Sequence, residues 1–263
     1  MHTSDDERPL VRHDDDGVAT LTMSRPRQFN ALSEEMLDAL NGELARLTAD
    51  ESVRCVVIAA EGRAFCAGHD LKQMHAKADK AYYQTLFARC GEVMQQIVAL
   101  PVPVIARVQG LATAAGCQLV ASCDLAVAAR SARFAVSGIN VGLFCSTPAV
   151  ALSRNVGRKR ALEMLFTGEF IDAEQALDWG LVNRVADDDQ LDQALGVLTA
   201  SLCAKSGAAV RAGKAMFQRQ LQMPLDEAYA FAGDAMACNM MAEDVAEGIE
   251  AFLEKRDPNW RHR

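Results

Sequence analysis

Two short segments of the sequence place small residues where backbone N–H groups could hold a ligand. The first is FCAGHDL, residues 65–71, and the second is GLATAAGCQL, residues 110–119. In each segment a strand pattern passes into a helix pattern, and the first N–H groups of a helix lack acceptors and carry partial positive charge. Two such helix starts facing each other would form an oxyanion hole. The alternative is two ordinary strand-to-helix turns.

Few reactive side chains accompany these segments. Of the five histidines, only His69 and His75 are far from the chain ends, so a histidine-centred triad has few places to form. Cys66 and His69 have a Cys-x-x-His spacing, but without a second pair we predict no metal site. Cys145 precedes a predicted helix start, which would lower the pKa of its thiol and make it a candidate nucleophile. The alternative for Cys145 is a small buried core residue.

Several mechanisms are excluded by missing motifs and by charge. The sequence contains no G-x-G-x-x-G, G-x-x-x-x-G-K-[ST], G-x-S-x-G or H-E-x-x-H. Lys and Arg total 27 against 35 Asp and Glu, a formal charge of −8, so we predict no nucleic-acid partner. The apolar runs fall well short of the roughly 20 residues of a membrane span, so we predict no membrane partner.

The N-terminal sequence and the cysteines suggest a cellular location. MHTSDDERPLVRHDDDG is acidic and has no apolar segment, which argues against a secretory signal or a transit peptide and predicts a cytoplasmic protein. Eight scattered cysteines without a Cys-x-x-Cys pair are better interpreted as reduced core residues than as disulfides.

The elements that must position the two segments alternate along the chain. GVATLTMS, RCVVIAA, PVIARVQG and DLAVAA have strand patterns, and helices are predicted from Ser33 and over residues 80–100. This order favours an α/β fold with parallel strands. Helix starts are expected at Ser146 or Thr147 and, with a capping box, at Asp172. From Asp188 onward only helical periodicity occurs, which divides the chain into a core of residues 1–195 and a helical region of residues 196–263.

Blocks spread over nearly the whole sequence resemble the enoyl-CoA hydratase/isomerase (crotonase) family. They are RPRQFNAL, FCAGHDL, PVPVIARVQG, GLATAAGCQLVASCDLAVAA, RNVGRKRALEMLFTG, AEQALDWGLVNRV and EGIEAFLEKRDPNW. Within the family, GLATAAGCQLVASCDLAVA and NVGLFCSTPAVAL are most similar to a branch named for its domain and not for a reaction. The resemblance implies a ClpP-like spiral of ββα units with a C-terminal all-helical region that forms trimers or dimers of trimers. It also implies an acyl-CoA ligand, with coenzyme A as part of the substrate and no permanently bound cofactor.

The resemblance further implies which residues contact the substrate. The N–H groups of His69 and Ala115 would stabilise the enolate oxygen, although Ala115 stands where most family members have glycine. The remaining implied contacts are the backbone around Ala67, Gly68, Asp70 and Leu71 for adenine and pantetheine, and Arg27 for the CoA phosphates.

Two departures from the family pattern affect the chemistry. The positions of the two glutamates of the hydratases are taken by Gln118 and Gly138. Hydration needs a base for the water and an acid for the α-carbon, and neither glutamine nor glycine supplies one. Ordinary hydratase activity is therefore not expected. Three hypotheses follow: an acyl-CoA enzyme with another reaction (hydrolysis, isomerisation, decarboxylation or slow hydration), a catalytically silent or regulatory acyl-CoA-binding protein, and a structural oligomer. The retained AGHD turn and the N–H at Ala115 argue against the last.

Overall fold

The strands of the protein form two sheets, and the chain alternates between them. The structure is a computed structural model that describes residues 8–263. The first sheet, in spatial order, contains β1 (Leu10–Asp15), β2 (Val18–Met23), β3 (Cys55–Ala60), β5 (Val104–Val108), β7 (Leu125–Ala129) and β10 (Arg184–Ala186). The second contains β4 (Ala64–Cys66), β6 (Leu111–Thr113), β8 (Arg133–Ala135) and β9 (Ile171–Asp172).

Helices follow the strand pairs and then make up the C-terminal part. They are α1 (Glu34–Thr48), α2 (Leu71–Ala76), α3 (Lys80–Ala99), α4 (Ala115–Ser122), α5 (Ser146–Leu152), α6 (Arg158–Thr167), α7 (Ala173–Asp178), α8 (Leu191–Cys203), α9 (Gly207–Gln220), α10 (Leu225–Met240) and α11 (Glu243–Glu254). Short 3-10 turns occupy Pro26–Gln28, Ser137–Val141 and Asp188–Gln190.

The repeating unit is two strands followed by a helix. β3, β5 and β7 are parallel neighbours in the first sheet, and β4, β6 and β8 are parallel neighbours in the second. Each repeat of the spiral thus adds one strand to each sheet, and a helix then connects it to the first strand of the next repeat. The predicted α/β spiral of ββα units is confirmed.

Helix α1, between β2 and β3, shows how the sequence determines the packing. Ser33 caps α1 by accepting the Met36 N–H at 3.2 Å. Apolar residues at helical spacing then form one buried face: Met36, Leu37, Leu40, Leu44 and Leu47, each at most 1% exposed. These are the residues that the periodicity predicted, and they pack in the main core with Phe65 and Phe134.

Two predicted caps have different outcomes. The capping box of α7 is present, with Asp172 accepting the Gln175 N–H at 2.8 Å and the Gln175 side chain accepting the Asp172 N–H. The cap expected from Ser146 or Thr147 is wrong, because α5 begins at Ser146 after Cys145 and no side chain caps it.

The C-terminal part is helical, as predicted, but its boundary differs. The division at residue 195 falls inside α8, whose Leu191 and Leu198 are both buried against the first sheet. α8 therefore belongs to the core. α9 is attached to it by Lys214, whose Nζ donates to Asp124 at 2.6 Å and to the Ile97 and Val102 carbonyls at 3.0 Å. Among residues 8–263, no helix combines the length and the apolar character that crossing a membrane requires.

Candidate active site

The two segments singled out from the sequence lie against each other at the ends of β4 and β6. These strands are parallel neighbours, with Cys66 opposite Ala112. Gly68 has φ +91°, and a Cβ built on it would lie 3.0 Å from the Ala114 Cβ and 3.4 Å from the Ala115 nitrogen. The first turn therefore touches the start of α4, one residue from His69.

A second glycine allows this close approach. A Cβ on Gly116 would lie 2.1 Å from the Cys66 carbonyl oxygen, a contact that no side chain tolerates. Thr113 adds a side-chain bond between the segments, its Oγ1 donating to the Ala67 carbonyl at 3.0 Å. The backbones are thus held together by packing and by hydrogen bonding. Sequence analysis did not single out Thr113, since a threonine in a short strand gives no distinguishing signal.

The two N–H groups predicted to form an oxyanion hole are free for a ligand. Ala115 is the first residue of α4, where the N–H has no intrahelical acceptor. Outside the helices and strands of residues 8–263, the backbone hydrogen bonds include none donated by His69. A Cβ built on Gly68, the residue before His69, would lie 3.4 Å from the Ala115 nitrogen, so the first turn approaches the start of α4.

The residue before Ala115 has an unusual backbone conformation. Ala114 has φ +50° and ψ −118°, a region that residues with a Cβ rarely adopt and that costs on the order of 1–3 kcal/mol. Its N–H donates to the Ala135 carbonyl at 2.9 Å, and its carbonyl accepts the Gln118 N–H at 3.0 Å. The strained turn sets the direction of the following N–H, that of Ala115.

The segment RPRQFNAL, residues 25–32, lies against the first turn and forms a third wall of the candidate site, beside the two turns. The Ala67 N–H donates to the Phe29 carbonyl at 3.1 Å, and the Leu32 N–H donates to the Gly68 carbonyl at 2.8 Å. Asn30, fully buried with φ +51°, secures this wall. Its Nδ2 donates to the carbonyls of residues 61 and 64, at 2.9 and 2.8 Å, and its Oδ1 accepts the N–H of residue 25 at 2.9 Å. Asn30 was missed as an individual residue, although RPRQFNAL was one of the blocks that carried the resemblance.

The residues expected to contact coenzyme A surround these turns. Asp70 is the N-cap of α2, accepting the N–H groups of Lys72 and Gln73 at 2.8 and 3.2 Å. Leu71 is exposed, and Arg27 is an exposed residue of the 3-10 turn within the third wall. The Asp70 carboxylate thus caps α2, whereas the side chains of Leu71 and Arg27 are open to solvent.

The imidazole of His69 has one anchored nitrogen and one unpaired nitrogen. Nδ1 lies 3.3 Å from the Leu32 carbonyl oxygen, while Nε2 is buried and has no hydrogen-bond partner among residues 8–263. Phe87 of α3 packs edge-on against the ring, with centroids 5.4 Å apart. Burial lowers the pKa of His69, and the bond to Leu32 opposes this effect only in part. The shift favours the neutral form of the imidazole.

Gln118, which the resemblance aligns with one family glutamate, lies within α4 and is only 4% exposed. Its Oε1 is buried and has no hydrogen-bond partner among the described residues. An unpaired buried amide oxygen costs on the order of 1–3 kcal/mol, which a ligand that donates a hydrogen bond would remove. It can orient such a ligand but cannot take its proton near neutral pH.

Gly138, which the resemblance aligns with the other glutamate, has no room for a side chain. A Cβ there would lie 2.7 Å from both the Cys145 Sγ and the Leu143 carbonyl oxygen. The Gly138 carbonyl accepts the Leu143 N–H at 3.0 Å, which closes this loop on itself. The thiol and a backbone carbonyl occupy the space beside Gly138 into which a side chain would extend.

The expected reactivity of Cys145 is corrected by its surroundings. The residue is 6% exposed, and burial raises the pKa of its thiol instead of lowering it. The helix that follows has only seven residues and does not reverse this effect. The structure thus favours the alternative of a small buried cysteine. Five further cysteines are buried as predicted, whereas Cys203 is partly exposed and Cys238 is exposed.

Known proteins that are similar to this chain belong to one family. Residues 13–263 match the Enoyl-CoA hydratase/isomerase family. The enoyl-CoA hydratase domain-containing protein 3, mitochondrial, of Rattus norvegicus is 48% identical over 94% of this chain and 82% of its own length. A crystal structure of an enoyl-CoA hydratase from Mycobacterium smegmatis superposes with a TM-score of 0.95 at 61% identity, covering 97% of this chain and 99% of that one.

The human enoyl Coenzyme A hydratase domain-containing protein 3 superposes with a TM-score of 0.94 at 45% identity, covering 96% of this chain and all of that one. The chain belongs to the enoyl-CoA hydratase/isomerase family. The crotonase fold and the similarity to the branch named for its domain are thereby confirmed.

One expectation about this crotonase is wrong. A cytoplasmic location was predicted from the acidic N-terminal sequence, of which residues 1–7 lie outside the described residues. Relatives between 44% and 48% identical are all named as mitochondrial proteins. Similarity in the folded region therefore contradicts what the N-terminal composition suggested.

One surface cavity of this crotonase lies away from the paired turns. It has a volume of about 680 Å³ between the end of α3 and α9, and Lys214, Arg211 and Arg219 line it. A smaller cavity of about 260 Å³ lies under Phe144 and Arg158. Neither includes a residue predicted for the acyl-CoA site. In residues 8–263, no three His, Cys, Asp or Glu side chains are grouped to hold a metal ion.

Proposed function

We propose that the protein binds an acyl-CoA thioester with the thioester oxygen between the N–H groups of His69 and Ala115. The observation that carries this proposal is the contact between the two turns, with a Gly68 Cβ position 3.4 Å from the Ala115 nitrogen. Neither donor has a protein acceptor among residues 8–263, and the strained Ala114 fixes one of them. Negative charge on a thioester oxygen, as in an enolate, is what such a pair stabilises.

The remaining contacts follow from the same geometry. The backbone of residues 67–71 passes beside the donors, and the exposed Leu71 gives an apolar surface for pantetheine. Arg27, exposed in its 3-10 turn, offers a cation for the CoA phosphates in a chain whose net charge is −8. Coenzyme A enters as part of the substrate, and the proposal needs no permanently bound cofactor.

Ordinary hydratase activity is not part of the proposal. Gln118 offers an amide where hydratases have a carboxylate, and the space beside Gly138 is filled. Loss of either member of an acid–base pair typically lowers a rate by about 100 to 10,000-fold. We therefore expect hydration of crotonyl-CoA to be slow. The same observation supports a second candidate function, that of a catalytically silent acyl-CoA-binding protein.

The proposal is tested by comparing the affinities of two ligands that differ only in the thioester carbonyl group. Butyryl-CoA has the thioester carbonyl, and S-butyl-CoA, a thioether, lacks it. Two lost hydrogen bonds to the oxygen should weaken binding by about 10 to 100-fold for the thioether, measured by calorimetry. Equal affinities would show that the N–H groups do not bind the carbonyl. Absence of binding for both would contradict the acyl-CoA site itself.

We also propose that the protein is a trimer or a dimer of trimers. The C-terminal helices expose large apolar side chains, including Tyr229 at 73%, Met241 at 85% and Phe252 at 82%. Exposed apolar surface of this kind is unusual for a monomer and is typical of an interface. Light scattering at micromolar concentration should give three or six times the 28.4 kDa chain mass. A monomeric mass would contradict it.

A further inference from the structure

We propose that the protein hydrolyses an acyl-CoA thioester with the His69 imidazole as the proton acceptor. This inference rests on the proposed function, because it requires the thioester oxygen to be held by the N–H groups of His69 and Ala115. It adds a role for the side chain of a residue that contributes only its backbone to that hole.

The hydrogen bond of Nδ1 determines where the ring proton lies. A carbonyl oxygen only accepts, so Nδ1, at 3.3 Å from the Leu32 oxygen, must carry the proton. Nε2 then has a free lone pair, and it is buried without a partner among residues 8–263. The anchored ring thus presents a fixed basic nitrogen. Fixing one ring nitrogen to a carbonyl is how other proteins orient a catalytic imidazole.

The ionisable groups near the ring do not compete for this nitrogen. Asp70 is engaged as the cap of α2, and Glu34, two residues after Leu32, binds Lys77 at 2.7 Å. From α3 the ring is contacted by the uncharged Phe87. Burial lowers the pKa of His69 below its ordinary value, and the bond to Leu32 opposes this shift. The ring is available as a base throughout the neutral range.

Hydrolysis is the reaction that suits a single base. Hydration needs a base for the water and an acid for the α-carbon, and both carboxylate positions are replaced. Thioester hydrolysis needs one group that first accepts a proton and then returns it. The buried Oε1 of Gln118 is a second unpaired acceptor on the adjoining helix, and water is a ligand with two hydrogens to donate.

The steps balance without a further reagent. Water loses a proton to Nε2 as its oxygen bonds to the thioester carbon, and the carbonyl electron pair moves to the oxygen held by the two N–H groups. The tetrahedral intermediate then re-forms the carbonyl and breaks the carbon–sulfur bond. The departing thiolate takes the proton from the imidazolium. The products are a carboxylic acid, which ionises in solution, and free coenzyme A.

Two substitutions of His69 distinguish a role of its side chain as a proton acceptor from a role as a hydrogen-bond acceptor. His69→Asn keeps a group at the Nδ1 position and removes Nε2. His69→Gln keeps an acceptor near the Nε2 position but cannot take a proton. Both retain the backbone N–H of the oxyanion hole. His75→Gln, at an exposed histidine of α2, is the matched control.

The measurement is release of free coenzyme A from a panel of short acyl-CoA thioesters, followed by mass spectrometry. We expect both His69 variants to lower kcat/KM by about 100 to 10,000-fold, with His75→Gln unchanged. Wild-type activity should be constant above the pKa of His69 and fall below it, because the protonated ring cannot accept. Affinity for acyl-CoA should stay within about threefold in every variant, since the interaction lost is one made in the transition state.

Each other outcome overturns the inference. Activity retained in His69→Gln but lost in His69→Asn would make His69 a positioning residue. Activity retained in both would remove it from the reaction. Acyl-CoA binding without release of coenzyme A by the wild type would exclude hydrolysis yet leave the proposed function intact. Absence of acyl-CoA binding would instead contradict the proposed function.

Discussion

The two turns that carry the N–H donors and the two positions that the resemblance aligns with family glutamates are built differently. The turns are held by backbone contacts that only glycine allows, at Gly68 and Gly116, and by the side chains of Asn30 and Thr113. The glutamate positions have changed chemically, to the amide of Gln118 and to Gly138, where a thiol and a carbonyl fill the space.

This difference separates binding from proton transfer. An oxyanion hole made of backbone N–H groups depends on main-chain geometry, which many tight contacts preserve. Acid–base function depends on single side chains, which one substitution removes. A site of this kind can keep its thioester geometry and still lose the reaction for which its relatives are named.

The largest effect should come from forcing the two turns apart. Gly116→Ala places a methyl group 2.1 Å from the Cys66 carbonyl oxygen, a backbone atom that cannot rotate away. We expect the free energy of unfolding to fall by about 3 kcal/mol or more, and acyl-CoA binding to be lost. Gly42→Ala in α1, where nothing lies within 4 Å, is the control and should stabilise the protein by about 0.5–1 kcal/mol. Similar melting temperatures for the two variants would contradict the close contact.

The second-largest loss of stability is expected from substitution of Asn30 in the third wall of the site. Asn30→Ala removes three hydrogen bonds to backbone groups, leaves the Ala64 carbonyl with the Gln109 Nε2 donor alone, and keeps a Cβ at φ +51°. Chemical denaturation should show a loss of about 2–3 kcal/mol. Asn30→Gly removes the same hydrogen bonds but relieves the backbone, so it should recover about 1 kcal/mol of that loss. Full stability in Asn30→Ala would mean that the wall does not depend on this side chain.

The same residues show how much of the two turns and of the two glutamate positions the sequence predicted. Periodicity identified the buried face of α1, and the resemblance correctly brought FCAGHDL and GLATAAGCQL together. That Gln118 and Gly138 replace two family glutamates stays a prediction of the resemblance. The filling of the space beside Gly138 could not be predicted, because it depends on Cys145 and on a loop that bends back to residue 143. The direction of the pKa shift of Cys145 was wrong for the same reason, since burial is a tertiary property.

A smaller effect is expected at the filled glutamate position. Gly138→Ala should destabilise the protein by about 1–3 kcal/mol, because the new methyl group meets the Cys145 Sγ and the Leu143 carbonyl oxygen. Adding Cys145→Ala removes only the first contact, so the double variant should recover part of this loss. A double-mutant cycle measured by denaturation quantifies the coupling. Strict additivity of the two changes would mean that residues 138 and 145 do not touch.

The contact also limits any attempt to restore the hydratase pair. Gly138→Glu would have to displace the Leu143 backbone, so adding it to Gln118→Glu should disturb folding. A positive φ is not the obstacle, because Gly138 is not among the glycines of residues 8–263 that have one.

The smallest effect should be that of Gln118→Glu alone. The new carboxylate supplies a base for water but no acid for the α-carbon, so hydration of crotonyl-CoA should rise by less than about tenfold. Gln118→Met, similar in shape and without acid–base function, serves as the control, and thermal melts must show both variants folded. A wild-type hydration rate of about 10 per second or above would contradict the assignment, since an unrecognised group would then be transferring the protons.

The most direct measurement of the central claim is a crystal structure of the protein with a short saturated acyl-CoA bound. The thioester oxygen should lie about 2.7–3.1 Å from both the His69 and the Ala115 nitrogen atoms, with the acyl chain directed toward Gln118. A thioester oxygen bound elsewhere, or one that contacts neither N–H group, would contradict the claim that these two turns form the oxyanion hole.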